Sequence, residues 1–303
     1  MKRLVFIILF LGVSFNLLAQ QLPLYSQYMF NKLLINPAIT GSENAIPIRL
    51  TARQQWVGVD NAPSTQTVSA HCRLKNETMG IGGIIFADRF GPESRIGIQA
   101  NYAYILPIFN KSTQLAFGLS FQLFQYQMDY NQLITLEEND PAINFNKKNN
   151  WLPESDFGIY LYGENYYFGI SANQMIELQM KIGGEYAEMN SLKRHYHILM
   201  GYQTQISQTL ALEPSVLAKA TESTPAQLDI NLKAIYKKDY WAGISYRTSG
   251  DIVCLIGLTI EEFEFGFATD FATSSLSHYQ SGSFELLLGY KIGQTQNLGH
   301  SFF

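Results

Sequence analysis

From Gln227 to Lys237 every second residue is apolar: Leu228, Ile230, Leu232, Ala234 and Tyr236 fall on one side, Asp229, Asn231, Lys233 and Lys237 on the other, broken only by Ile235. A period of two means an extended strand whose two faces meet different surroundings. Gly282 to Lys291 repeats it, with Phe284, Leu286, Leu288 and Tyr290 against Ser283, Glu285, Gly289 and Lys291, broken by Leu287. Leu115 to Leu123, Arg95 to Tyr104 and His195 to Gln203 alternate in the same way. The pattern predicts about fourteen strands, over 46–53, 64–74, 79–88, 94–106, 113–128, 156–162, 166–173, 193–204, 210–219, 226–237, 240–247, 251–260, 263–271 and 278–292. The gaps between them alternate in length. The three longest, 54–63, 129–155 and 174–192, all fall at the same end of the strands, and the gaps at the other end are short.

Alternation alone also suits a soluble sandwich. The content of the faces decides between the two. The apolar sides end in tyrosines (Tyr102, Tyr104, Tyr196, Tyr202, Tyr236, Tyr246, Tyr290), and the opposite sides carry Gly, Gln, Ser and isolated charges. Aromatic girdles outside and a polar interior are the marks of a transmembrane barrel. Composition agrees: the chain is 47% hydrophobic and only 15% charged, against about 25% charged in a typical soluble domain. The expected fold is all-β, a transmembrane antiparallel β-barrel with an even strand number, long loops outward and short turns in the periplasm.

The N-terminus, "MKRLVFIILFLGVSFNLLAQ", has a basic start, an apolar run and a small residue at Ala19, which predicts a cleaved secretory signal over 1–19. The run is interrupted by Ser14 and Asn16 and falls short of the ~20 apolar residues of a spanning helix. Without Lys2 and Arg3, 19 of the 21 basic residues remain against 25 acidic ones, a net charge of about −6. With no basic run, nucleic acid is not an expected partner. Two cysteines, Cys72 and Cys254, make no disulfide framework; they fall on apolar faces of the second and twelfth strands, which are not adjacent in barrel order, and both are expected as free thiols. The expected organisation is a signal peptide (1–19), an N-terminal periplasmic segment (20–45), an outer-membrane barrel (46–292) and a C-terminal tail (293–303).

Candidate chemistry is sparse. His195 and His197 share a strand face, but no third or fourth zinc ligand is placed nearby. Glu262, Glu264, Asp270, Glu285 and Lys291 are expected on the interior face as a solvated ion network. "GIGG" at Gly80 to Gly83 lacks the rest of a phosphate loop and reads as close strand packing. No enzymatic activity, cofactor or metal is expected. Candidate contact residues lie elsewhere. The segment 20–45 places Tyr25, Tyr28, Met29, Phe30, Leu33 and Leu34 at near-helical spacing, so it either covers or part-fills the barrel or docks a partner, with Tyr28 and Phe30 as contacts. In the loop 54–63, Trp56, Val57, Asp60 and Pro63 serve either as a belt aromatic beside a turn or as an apolar contact for another protein. The two long loops carry apolar residues that water does not favour, Trp151 and Leu152 in one, Met175, Ile176, Leu178 and Met180 in the other, which serve either as contacts for a partner protein or as a lid folded back over the barrel mouth.

The blocks "YSQYMFNKLLINPAITGS", "RQQWVGVDNAPSTQTVSAH", "MGIGGIIFADRFGP" and "IGIQANYAYILPI" occur in that order between Tyr25 and Ile108. In this the chain resembles the PorP/SprF family of outer-membrane proteins from Bacteroidetes. Two blocks depart from the family pattern: Asn36-Pro37-Ala38 runs into Ile39-Thr40-Gly41 where the family has Tyr-Ala-Gly, and its Gly-Ala-Pro turn reads Asn61-Ala62-Pro63. The resemblance implies a cell outer membrane location and a non-enzymatic role in type IX secretion or in surface attachment of an exported protein of gliding or adhesin type. The implied partners are that exported protein, type IX secretion components and outer-membrane lipid. The alternative, which rests on the barrel alone, is a porin or small-ligand transporter. An open or a filled lumen discriminates the two.

Overall fold

The computed structural model describes residues 23–108, 112–129, 132, 149–177, 179–181, 189–222, 224–273, 277 and 279–293. The wall is built from β1 (Ile46–Gln54), β2 (Ser64–Arg73), β3 (Met79–Phe90), β4 (Glu93–Ile108), β5 (Thr113–Met128), β6 (Asn149–Tyr162) and β7 (Tyr166–Asn173). After a short external pair, β8 (Gln179–Lys181) with β9 (Met189–Ser191), it resumes with β10 (His195–Tyr202), which continues past Gln203 as β11 (Thr204–Ser207). It ends with β12 (Leu210–Thr221), β13 (Gln227–Tyr236), β14 (Tyr240–Arg247), β15 (Asp251–Ile260), β16 (Phe263–Ala272) and β17 (Ser283–Ile292). With β10 and β11 counted as one, this is a closed antiparallel barrel of 14 strands.

Closure is made by β1 on β17, in register from Ile46↔Ile292 to Gln54↔Phe284. Every other neighbour is a sequential antiparallel pair, and β10 joins β7 to β12. Hydrocarbon offers no partner to a free N–H or C=O, so only a sheet without edges is stable there. The side chains follow the alternation read from the sequence: Ile230, Leu232, Ile244, Tyr246, Leu286 and Leu288 are exposed on the outer surface, while Asp229, Asn231, Ser245, Arg247 and Glu285 are buried inside.

The outward rim departs from the expected strand limits. β6 begins at Asn149, not at 156, so Trp151 and Leu152 belong to the wall and not to a loop. Trp151 points outward at 60% exposure, whereas Leu152 turns inward, 8% exposed, in a cluster with Phe124, Tyr126 and Leu192. The sequence hid this extension because Pro153 reads as a break. β6 pairs with β7 only from Phe157 onward, so Pro153 lies where the strand is bonded on one side alone, and a proline is tolerated on such an edge. The signal peptide 1–19 and Leu178 lie outside the described residues, as does the tail 293–303 beyond Gly293.

The outer face generates a stability prediction. Leu119 and Leu232 are 57% and 46% exposed at mid-strand, so Leu119→Arg and Leu232→Arg each cost the barrel about 2–4 kcal/mol. Urea titration of the barrel refolded into phospholipid vesicles measures this, and wild-type stability of both variants would show that the face is not against lipid.

Candidate functional site

The interior is not an empty bore. Residues 23–45 run through it as a plug in contact with strands on all sides of the wall. The near-helical spacing of its apolar residues does not produce an α-helix. Two short 3₁₀ turns form instead, at Lys32–Leu34 and Pro37–Ile39, separated by extended Asn36. Pro37 fits the first helical position because its missing N–H would be unbonded there anyway, and the Asn36 side chain caps the turn by accepting from the Ala38 N–H at 2.9 Å. A helix buries one stripe; this segment is enclosed on every side, so its apolar residues point in several directions. Tyr28, Met29, Ile35, Ala38 and Ile39 pack in one cluster with the inward residues Ile105, Tyr160, Leu199, Leu217, Val253 and Leu255.

Charge fixes the two ends of the plug. At Ser26 the hydroxyl donates to Asp270 Oδ1 at 2.7 Å and accepts from Arg53 Nη1 and Arg247 Nη2, at 2.6 and 2.8 Å. Arg53 and Arg247 both bridge Asp270, at 2.6 and 2.8 Å, and Arg53 reaches Glu285 at 3.2 Å. Glu285 in turn accepts the backbone N–H groups of Ser26 and Gln27, at 2.6 and 2.9 Å. At the other end Glu43 takes a two-pronged pair from Arg49, 2.6 and 2.8 Å, and Arg49 also meets Glu264 at 3.0 Å, which pairs with Lys291 at 2.7 Å. His71 Nε2 lies 3.5 Å from the same Glu43 carboxylate.

Between these anchors the wall makes room for the plug backbone. A side chain on Gly118 of β5 would collide with the Pro37–Ala38 peptide, and one on Gly158 of β6 with the Asn36 carboxamide oxygen. The Asn36 amide donates to the carbonyls of Ile159 and Ile170, both at 3.1 Å, on adjacent strands. The Asn-Pro-Ala block is therefore a fitted lock. Gly80 of the "GIGG" run likewise faces Thr40 of the plug, where the sequence suggested close strand packing alone.

Above the plug, toward the long loops, opens a vestibule of about 410 Å³. Its lining includes Pro23, Leu24 and Tyr25 of the plug together with Phe86, Asp156 and His197 of the wall. His197 Nδ1 lies 2.9 Å from Asn173 Oδ1, and His195 Nδ1 lies 2.9 Å from the Lys193 carbonyl. Among the described residues no group of three or more His, Cys, Asp or Glu could hold a metal ion.

The structure distributes the sequence-chosen contact residues widely. Tyr28 is buried, hydrogen-bonded by Asn231, and Phe30 stacks on Trp241 at 3.8 Å, so both serve the plug and neither faces outward. Trp56 and Val57 sit in an outward loop strapped across the β1–β17 seam: Trp56 N–H donates to Ser283 Oγ at 3.2 Å, and Val57 exchanges backbone bonds with Gly282 and Ser281 at 2.9 and 2.7 Å. Asp60 is exposed and Pro63 is buried. Met175 and Ile176 are exposed at the rim beyond β7, on the opposite side of the wall from β1, so they share no patch with Trp56.

Two expectations about the interior are corrected. Asp270 and Glu285 are buried and Glu264 half-buried, all three in ion pairs rather than in a solvated network, and Glu262 lies exposed in the turn between β15 and β16. Asn231, expected to line a wet lumen, is 3% exposed beneath Tyr28. The decisive residues Ser26, Glu43, Arg49, Arg53 and Arg247 were not singled out from the sequence. One signal was available: the three arginines are in phase with the inward acids.

A prediction follows from these anchors. Arg53→Ala removes the cation that Asp270 and Glu285 share, and breaking a buried pair costs about 3–5 kcal/mol. Limited proteolysis of the folded variant should cut at Lys32 while the barrel stays heat-modifiable on gels; full protection of Lys32 would show that the network does not hold the plug.

Among solved structures, the CymD monoaromatic hydrocarbon channel is similar at 12% identity, covering 91% of this chain and 94% of that one with a TM-score of 0.51. A FadL homologue of Pseudomonas aeruginosa is similar at 10% identity, covering 89% and 94%, with a TM-score of 0.50. At such identity these show the outer-membrane barrel fold and nothing finer. A comparison with curated proteins finds no match. The sequence profile described as type IX secretion system membrane protein PorP/SprF matches residues 17–290, which takes in both the plug and nearly all of the wall. An outer-membrane barrel whose plug and wall both fall within that match belongs to the PorP/SprF family of the type IX secretion system.

Proposed function

We propose that this barrel acts without enzymatic chemistry as an outer-membrane attachment platform for type IX secretion, retaining or displaying an exported surface protein through its outward rim. The filled lumen carries this reading. A diffusion porin needs an open aqueous bore, whereas here Tyr28 to Thr40 occupy the bore, and the plug is tied to the wall by the Glu43–Arg49 ion pair and by the Asn36 lock. A platform needs no bore. Its contacts are made by loops on a rigid scaffold, and the outward end supplies exposed Met175 and Ile176 and the strapped loop around Trp56.

Affinity isolation from native membranes tests the reading. Recovery of a large exported surface protein or a secretion-system component supports it; ion conductance in planar bilayers with no partner recovered overturns it. The rim yields a narrower prediction. Shortening 174–192 should leave a heat-modifiable barrel in the outer membrane and reduce display of the surface protein several-fold, read by antibody on intact cells. Normal display from that barrel would move the contact to Trp56 and its neighbours.

A further inference from the structure

The plug has a direction. β1 starts at Ile46 at the short-turn end of the barrel, and the chain ahead of it climbs from there. Glu43 meets Arg49 and Glu264, and the Gly41 carbonyl accepts from Arg73 Nε, at the last residue of β2 before a short turn. Asn36 lies at mid-wall against Ile159 and Ile170. Ser26 is already at the far end, where Arg53 stands one residue from the end of β1, Arg247 ends β14 and Asp270 lies near the end of β16. Pro23, Leu24 and Tyr25 go further still and line the vestibule with residues at the long-loop end, among them Asp88, Thr221 and Ser249.

From these positions we infer that the chain threads its own lumen with its N-terminal end outward: Pro23, Leu24 and Tyr25 are presented in the external vestibule, and not in the periplasm where the sequence suggested them. Two physical arguments support it. Long loops mark the external end of outer-membrane barrels, and Leu24 lies at that end. A return to the periplasm through the lumen would need a second passage past the level of Tyr28 to Ala38, where plug and wall are packed in one buried cluster. An interior packed to that density has no room for another strand of chain. The consequence is a vestibule whose floor is the chain's own N-terminal stretch, so anything that enters from outside touches the plug first.

Single-cysteine labelling in intact cells tests the inference. In the full chain carrying Cys72→Ser and Cys254→Ser, Leu24→Cys is compared with Asp60→Cys on the outward loop and Asn76→Cys in the turn after β2, using a membrane-impermeant maleimide before and after permeabilisation. The expected result is that Leu24→Cys reacts in intact cells to within about twofold of its permeabilised level, as Asp60→Cys does, while Asn76→Cys gains at least tenfold on permeabilisation. Leu24→Cys behaving like Asn76→Cys overturns the inference, and so does an exchange of the two controls. If Leu24→Cys is shielded in both conditions, an epitope inserted directly ahead of Pro23 decides: antibody binding to intact cells supports the outward end, and binding only after permeabilisation overturns it.

Discussion

A strand in hydrocarbon has nowhere to place an unpaired N–H or C=O, and everything in this molecule follows from that constraint. It forces β1 onto β17, closes the fourteen-strand ring and gives each strand one face toward lipid and one toward an enclosed interior. The apolar outer face is then required by the surroundings. The inner face is free to vary, and it is there that this protein differs from an open pore.

The interior is filled by the chain itself, and the inward residues divide by what they meet. Where the plug is apolar the wall supplies Leu199, Leu217, Val253 and Leu255; where it is polar or charged the wall supplies Arg49, Arg53, Arg247, Asp270 and Glu285. Buried ions are expensive unless each is paired and hydrogen-bonded. Ser26, two arginines and two acids meet that condition through mutual bonds, which makes the site specific for one register of the plug. A displaced plug would take from Asp270 and Glu285 the hydroxyl and backbone N–H bonds of Ser26 and Gln27, so the docked state is well defined even though ion pairs by themselves add little net stability.

A platform that holds a partner and a pore that passes solutes place opposite demands on the lumen. A packed bore meets the first demand and not the second, and the outward loop at Trp56 is bonded to Ser281, Gly282 and Ser283 at the start of β17. The outward end thus combines fixed loops, exposed apolar residues beyond β7 and a vestibule with the plug as its floor. Such a surface is what the proposed attachment role requires.

The period-two alternation of segments such as Leu228–Tyr236 and Leu115–Leu123 determined the barrel, its even strand number and the side of the residues within those segments, because lipid on one face constrains every second position independently of the rest of the chain. Even the breaks in that pattern were informative: Leu287 is buried inside the barrel. The limits of β6 were not legible, since Pro153 is acceptable only where β7 has already ended, a fact of pairing between distant segments. Nor was the site. Tyr28 and Phe30 stood out by type, but Ser26, Asn36 and Glu43 look like ordinary polar residues until their partners, some of them more than two hundred residues away, are brought round by closure. Sequence alone determined which residues face inward; only the tertiary structure decided what they face, because the plug's partners come from strands that are neighbours in the ring and strangers along the chain.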